Sequence, residues 1–416
     1  MIPVEEALEK VLSAITPLSY DTVPLLNSHG LITAETINSS INIPPLDNSG
    51  MDGYAVRSED IKTSSYKKPT TLRIIEETAA GTIPKKRVLP MTATRIMTGA
   101  PIPNGADTVV RFEDTNDSER SRQNSNSNIN IYVPAKTGTA IRQAGGDIKI
   151  GENAITAGTE IGPAQIGVLA SLGNTKIKIF RRPKVSIISS GNELVSPGHS
   201  LPEGHIYDIN TYSIASSVAR LGGTPEILGI AKDTRESLIG LLEKAKDSDL
   251  IITSAGVSAG YYDLVKEVIQ DYGSVDLWSV KMRPGKHVVF GELQGPQNSK
   301  WPSKVPILGL PGNPVSAMVV FHIFGRPILK KMMGHKKWDP VSIEATLLDP
   351  IDNEDGRRVY ARALIDQAAN GEYTAKLSGP QGSNVLTAMA RANGLAICPE
   401  DINRLEPGSK VRVELL

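Results

Sequence analysis

One cysteine, Cys398, stands among 416 residues. An intramolecular disulfide needs two thiols and a cysteine-rich zinc site needs several, so both are excluded. A buried, apolar place is the expectation for Cys398. Neither sign of charge is in surplus, since lysine plus arginine total 45 and aspartate plus glutamate total 45. A general nucleic-acid binder carries a basic excess, so no nucleic-acid partner is expected. Long hydrophobic runs are missing as well. The longest, residues 317–324, is interrupted by His322 and falls far short of the ~20 apolar residues that span a bilayer. The first ten residues carry three glutamates and no apolar leader core, so a secretory signal is not expected. The expectation is a soluble, cytoplasmic chain with no membrane partner. Neither GxGxxG nor a Walker A lysine is found, which argues against a standard dinucleotide site or P-loop.

What is present is turn-forming sequence between short periodic segments. The chain has 37 glycines and 28 prolines, gathered in short clusters that suit a turn-rich α/β and β protein. Its length allows about two to four domains. Val4, Ala7, Leu8, Val11, Leu12 and Ile15 follow helical spacing behind Pro3, which predicts an N-terminal amphipathic helix. Residues 20–43 read as extended. Short strands are expected over 71–76, 94–97, 108–112 and 130–133. The polar run 114–128 reads as a long loop whose Arg120 and Arg122 are solvated. From about residue 175 strands and helices alternate: strands at 185–189, 225–230, 250–254, 275–282, 288–291 and 305–310, helices at 210–221, 234–246, 262–271 and 315–324. Asn210 is read as a cap and Gly222-Gly223 as a stop. Such alternation predicts a doubly wound, mostly parallel sheet. Beyond Gly334 short strands return, and no internal repeat is seen.

Residues 44–56 read Pro-Pro-Leu-Asp-Asn-Ser-Gly-Met-Asp-Gly-Tyr-Ala-Val. Two prolines stiffen the start, two glycines permit tight turns, and the continuous apolar run of a buried strand is absent. This chemistry suits carboxylates Asp47 and Asp52 held on an exposed turn, and equally a structural hairpin.

Doubly wound sheets bind ligands beyond the carboxyl ends of their strands. Three strands run into small-residue loops there, at 189–193, 254–260 and 310–316. A helix N-terminus behind such a loop offers free N–H groups and partial positive charge to an anion. Glu193, Asp208 and Asp263 are the acids near these loops, with Lys266 beside Asp263; Arg283 and Lys286 are the bases. Singly, each is more often a solvated or capping residue. Together they suit a phosphorylated ligand that also holds a hard cation, because Mg²⁺ takes one or two carboxylates plus ligand phosphates.

These segments carry a resemblance. The 44–56 stretch, Ile96-Met-Thr-Gly-Ala-Pro-Ile-Pro103, Gly145-Gly-Asp-Ile148, the 189–194 block, Ile206-Tyr-Asp-Ile-Asn210, the 256–263 block, Arg283–Lys286 and the 310–316 block stand in one order. Gln381-Gly-Ser-Asn384 and Ala392-Asn-Gly394 follow. Taken jointly they resemble the MoeA and gephyrin E-domain family, the molybdopterin molybdenumtransferases, over nearly the whole chain. The resemblance implies four parts. Residues 1–46 and 141–174 would form an elongated linker domain and 47–140 an inserted β-rich domain. Residues 175–332 would form an α/β domain similar to molybdopterin adenylyltransferases, and 333–416 a C-terminal β domain.

It also implies the last step of molybdenum cofactor synthesis. Adenylylated molybdopterin is cleaved at its pyrophosphate, AMP leaves, and molybdate is ligated to the pterin dithiolene. Asp52, Thr98, Asp147, Glu193 and Asp263 match catalytic positions. Asp208, Gly256, Ser258, Lys286, Gly312 and Asn313 match positions that hold the pterin nucleotide, with Glu193 and Asp263 as Mg²⁺ ligands. Arg283, Pro284, Ser316, Arg362 and Ser383 match positions associated with molybdate, Arg362 being aligned in preference to Arg358. Many relatives carry lysine where Arg283 stands, and a guanidinium is a fixed fork, not a point charge. A homodimer with a shared active cleft is implied, with a molybdopterin adenylyltransferase and molybdoenzymes as candidate protein partners. Two alternatives stand beside this reading: an adenylyltransferase using the α/β domain alone, and a peptide-binding scaffold on the same fold. Molybdate and tungstate are not distinguished.

Overall fold

The computed structural model describes residues 1–117, 127–254, 268, 271–295, 301–302 and 304–416, with only the backbone of Leu277. Arg120, Arg122, Gly256, Ser258, Asp263 and Lys266 lie outside the described residues, as does most of the helix expected over 262–271. The chain forms two compact units. One comprises Met1–Val23, Gly30–Ala34 and Lys178–Leu416; the other comprises Pro24–His29 and Glu35–Ile177.

The larger unit is built on a six-stranded sheet. Its order is Thr224–Ala231, Lys184–Ser190, Leu250–Ser254, Val305–Leu310, His287–Leu293 and Gly273–Ser279. The first four strands run parallel, and His287–Leu293 is antiparallel to both its neighbours, Val305–Leu310 and Gly273–Ser279. Side chains alternate between faces along a strand, and the core divides accordingly. Val185, Ile187, Leu250, Ile252, Leu308 and Leu310 pack with Ile214 and Val218 of helix Asn210–Arg220. Ile188, Ile251, Val305 and Ile307 pack with Leu238 and Leu242 of helix Arg235–Lys244. Helices on both faces make this the doubly wound domain expected, because parallel strands need both faces covered.

The N-terminal helix Val4–Ser13 forms behind Pro3 and buries Val4, Ala7, Val11 and Leu12. Ala7 and Val11 join the same core as Val185 and Ile187. Its outer face carries a Lys10–Glu6 pair at 2.9 Å. The helix expected over 315–324 is longer than its apolar run. Pro314–Val320 continues through a π-helical turn, Phe321–Gly325, into Arg326–Met332. Phe324 in that turn is fully buried. Phe324→Ala is expected to lower stability by about 3–5 kcal/mol, read as a fall in Tm; an unchanged Tm would show that the turn collapses onto the void.

A second six-stranded sheet, mostly antiparallel, closes the unit. The short strand Met282–Arg283 runs parallel to Arg358–Gln367 and pairs Arg283 with Val359. This register brings the α/β domain's cationic turn to the C-terminal sheet. One helix here, Leu386–Arg391, interrupts the expected run of strands. Cys398 is fully buried in this sheet's core, and burial pushes its thiol pKa up.

The smaller unit holds a five-stranded sheet ordered Thr108–Arg111, Gly53–Val56, Thr92–Ile96, Thr70–Thr78 and Asn128–Ile131. Tyr54, Val56, Leu72, Phe112 and Ile129 form its core. This corrects the reading of residues 44–56 as turn alone. Gly53–Val56 is a buried strand, too short to show an apolar run yet flanked on both sides by partners. Gly53 is required there, because a Cβ would lie 2.0 Å from the carbonyl oxygen of Val110. The short 3₁₀ turn Leu25–Ser28 interrupts a stretch expected to be extended, and helix Pro163–Ser171 forms where the sequence predicts no element.

Candidate active site

The turn ahead of Gly53 presents its carboxylates as expected. Asp52 Oδ1 accepts hydrogen bonds from the backbone N–H and the hydroxyl of Thr98, both at 2.8 Å. Two blocks far apart in sequence are thus joined at one carboxylate. Asp47 Oδ1 accepts from Ala144 N–H at 2.7 Å. Asp147 is exposed, and its N–H donates to Ile43 O at 3.0 Å, beside the start of the same turn.

In the larger unit a cavity of about 870 Å³ opens at the carboxyl ends of the parallel strands. Ser190, Glu193, Asp208, Asn210, Gly312 and Asn313 are among its walls. Asp208 is 4% exposed. Its Oδ1 accepts from Ser189 Oγ at 3.0 Å and from Thr211 N–H at 3.1 Å. Asp208, not Asn210, therefore ties the start of helix Asn210–Arg220, and the expected cap is corrected by two residues. Asn210 lies inside the helix, where its amide donates to Gly312 O at 2.8 Å. That leaves Asn210 Oδ1 and Ser190 Oγ buried without a protein partner, although each lines the cavity. Neither was singled out as a ligand from sequence; a polar residue beside a matched acid was the only signal. Glu193 is exposed, and its carboxylate occupies the space over Gly191, where a Cβ would approach within 2.5 Å of Oε2.

The loop at 189–193 does not lead directly into a helix, contrary to expectation. Two short strands, Leu194–Val195 and Ile206–Tyr207, come first. Glu193 and Asp208 are brought to one cavity by that pairing. Among the described residues no three His, Cys, Asp or Glu side chains form a group able to hold a metal. Glu193 and Asp208 are the carboxylates of this cavity, a donor type and number compatible with Mg²⁺, which takes one or two carboxylates and completes its shell from ligand phosphate and water.

A second cavity of about 630 Å³ holds the cationic residues. Arg283, Pro284, Ser316, Arg362 and Ser383, drawn from four separate segments, all line it. Lys286, matched to the nucleotide side from sequence, lines this cavity and not the first. The turn through Gly285 folds it back: φ is +101°, and a Cβ would meet Val320 Cγ2 at 2.4 Å.

Arg362 is 1% exposed. Its Nη2 donates to Pro380 O at 3.1 Å and Gly382 O at 3.0 Å, and burial lowers the guanidinium pKa. Gln381 locks the same loop by accepting from Arg362 N–H at 2.9 Å. Arg362 thus shapes the Ser383 loop from behind, while Arg283 and Arg357 stand at the cavity with a carboxylate, Asp355, between them. Arg357 was missed from sequence because the Arg357-Arg358 pair offers no spacing cue. Arg358 instead pairs with Glu5 and Glu400.

Neighbouring residues of the same segments line the two cavities. Gly312 and Asn313 line the first and Ser316, one turn on, lines the second; Asn384 and Ser383 divide in the same way. Glu193 and Asp208 line the first compartment, which has no lysine or arginine among its described walls, and Arg283, Lys286, Arg357 and Arg362 line the second, beside Asp352.

A doubly wound domain with an acidic compartment at its strand ends and a cationic one against a C-terminal β-sheet defines a multidomain α/β protein. The family is narrower than that class. The chain belongs to the MoeA family: residues 2–173 match the MoeA N-terminal region (domains I and II), 186–331 a probable molybdopterin binding domain, and 344–416 the MoeA C-terminal region (domain IV). It is 35% identical to molybdopterin molybdenumtransferase 2 of Mycobacterium tuberculosis, covering 98% of this chain and 97% of that one. It is 32% identical to the molybdopterin molybdenumtransferase of Haemophilus influenzae, covering 100% and 98%. Among solved structures it resembles a molybdopterin biosynthesis MoeA protein from Pyrococcus horikoshii, with a TM-score of 0.84, 34% identity and 100% and 99% coverage.

Proposed function

We propose that this chain is a molybdopterin molybdenumtransferase that acts on adenylylated molybdopterin and molybdate. Full-length similarity to transferases of that name supports the reading. The observation that carries its site assignment is the pair of compartments, one acidic and one cationic, lined by neighbouring residues of the segments 311–316 and 381–384. In this reading the nucleotide end of the substrate occupies the compartment of Glu193, Asp208, Gly312 and Asn313. Asn210 Oδ1 and Ser190 Oγ, buried and unpartnered, supply an acceptor and a hydroxyl to it. Gly256, Ser258 and Asp263 join this side on the sequence match alone. A Mg²⁺ ion held by Glu193 and Asp263 would neutralise charge developing on the pyrophosphate. Water adds to one phosphorus, the bond to the bridging oxygen breaks, and AMP leaves with the pterin phosphate as the other product.

Molybdate is a tetrahedral dianion. Arg283, Lys286, Ser316 and Ser383 offer it cations and hydroxyls, while the carboxylates of Glu193 and Asp208 face the other compartment. A carboxylate beside the dianion repels it unless a cation neutralises it; Asp352, which lines this compartment, pairs with Arg404.

On the same reading residues 1–46 and 141–174 form the linker domain, 47–140 the inserted domain, 175–332 the α/β domain and 333–416 the C-terminal domain. Two chains form a homodimer, in which Asp52, Thr98 and Asp147 of one chain face the α/β domain of the other. Release of AMP from adenylylated molybdopterin, stimulated by molybdate, is the direct test of the function. Mixing inactive Asp52→Asn with inactive Asp263→Asn is expected to restore part of the AMP release through heterodimers carrying one intact cleft. Mixed chains that exchange subunits yet stay inactive would sink the shared cleft. Absence of AMP release from the unaltered protein would sink the function itself.

A further inference from the structure

We infer that Asp355 is the built-in counter-ion of the cationic compartment, a carboxylate that an incoming oxyanion must displace and that thereby selects dianions over monoanions. The inference rests on the reading of that compartment as the oxyanion site.

Four cationic side chains line the compartment: Arg283, Lys286, Arg357 and Arg362. Arg362 is committed to the carbonyls of Pro380 and Gly382. Arg283 and Arg357 converge on one oxygen. Arg283 Nη1 lies 3.5 Å from Asp355 Oδ2, and Arg357 Nη2 donates to the same atom. The Arg357 N–H donates to Asp355 Oδ1 at 3.2 Å. Asp352, the other acid here, is differently placed: its carboxylate pairs with Arg404, and only its carbonyl accepts from Arg283 Nη2.

The pairing is strong enough to form and weak enough to yield. Hydrogen bonding from Arg357, reinforced by the charge of Arg283, holds the Asp355 carboxyl below the usual carboxylate range, so it is ionised at neutral pH. The side chains of Arg283 and Asp355 are 37% and 34% exposed, and such half-exposed pairs are worth little net energy. The base of the turn is fixed: Asn353 is fully buried and its amide donates to Pro399 O at 2.9 Å and Ile402 O at 3.1 Å. Rotation of the Asp355 side chain at the tip is therefore enough to free both guanidinium groups from its carboxylate, while Arg283 keeps its bond to Asp352 O. A monoanion that displaces it exchanges one negative charge for one and gains nothing in charge. A dianion brings two, one for each guanidinium.

Asp355→Asn preserves shape and removes the competing charge. Molybdate binding to the full chain without pterin, followed by calorimetry at constant ionic strength, is expected to tighten about three- to tenfold. Nitrate, a monoanion, is expected to compete with molybdate in the variant and not in the parent protein. Asp355→Ser is expected to shift binding in the same direction. Unchanged or weaker molybdate binding in both variants would overturn the inference, since Asp355 would then orient the arginines and not compete for them. Arg283→Ala run in parallel separates the two readings. If it binds molybdate as the parent does, the oxyanion assignment of the compartment falls and this inference with it. If only the Asp355 variants fail, the assignment stands alone.

Discussion

Arg283→Ala raises the molybdate concentration needed for cofactor formation roughly ten- to a hundredfold, the loss expected for one charged hydrogen bond of about 1.5–3 kcal/mol. The direction is opposite to that of Asp355→Asn, which makes the pair a signed test of one compartment. Affinity for the adenylylated pterin changes far less, because Arg283 lines the cavity that excludes Glu193 and Asp208. High molybdate rescues the variant by mass action. Arg283→Lys keeps the charge but loses the fork that reaches Asp352 O and Asp355 together, so its requirement falls between those of alanine and the parent. The measurement is cofactor formation across a molybdate titration, with pterin binding followed in parallel. Collapse of pterin binding without rescue would move Arg283 to the phosphate side.

Arg362→Ala has the larger structural consequence. The side chain is among the largest fully buried in the protein, and its removal leaves a void and frees the carbonyls of Pro380 and Gly382. Void formation costs about 3–5 kcal/mol for a large side chain, and each buried carbonyl left without a donor costs about 1–3 kcal/mol more. The Ser383 carbonyl accepts from Val315 N–H at 3.2 Å, so disorder in the loop reaches the first turn of the helix carrying Ser316. A marked fall in Tm and loss of molybdate-dependent turnover are expected together. Arg362→Lys retains charge but satisfies one carbonyl at most, and should be intermediate in both. A variant with the parent's Tm and a raised molybdate requirement would make Arg362 a direct ligand and not the anchor of the loop.

Sequence reading succeeded where a local pattern is itself the physics. Strands 250–254 and 305–310 are legible to the residue because a strand buried on both faces must be largely apolar. The N-terminal helix was legible because one stripe of its surface is apolar. It erred where neighbours decide. Gly53–Val56 is central through Val110 and Ile96 on either side, which no four-residue pattern can announce. Residues 321–332 stay helical through a π turn because Phe321, Phe324, Ile328 and Leu329 all find the core, not because the local sequence marks a continuation.

The site divides in the same way. Residue types at short range, an aspartate before glycine or an arginine before proline, were set by the sequence alone, because turn chemistry is local. The sequence also determined the family, through blocks whose order survives along the whole chain. Only the tertiary structure decided which compartment each residue serves. Lys286 moved from the acidic side to the cationic side because a left-handed glycine turns it back. Asp355 and Arg357 entered because the strand Met282–Arg283 pairs with Arg358–Gln367, 75 residues away when counted from Arg283 to Arg358. Arg362, matched to the molybdate side, lines that compartment while it is 1% exposed and bonded to the carbonyls of the Ser383 loop. Charge interactions depend on distance in space and on burial, and neither is written in the spacing of residues along a chain.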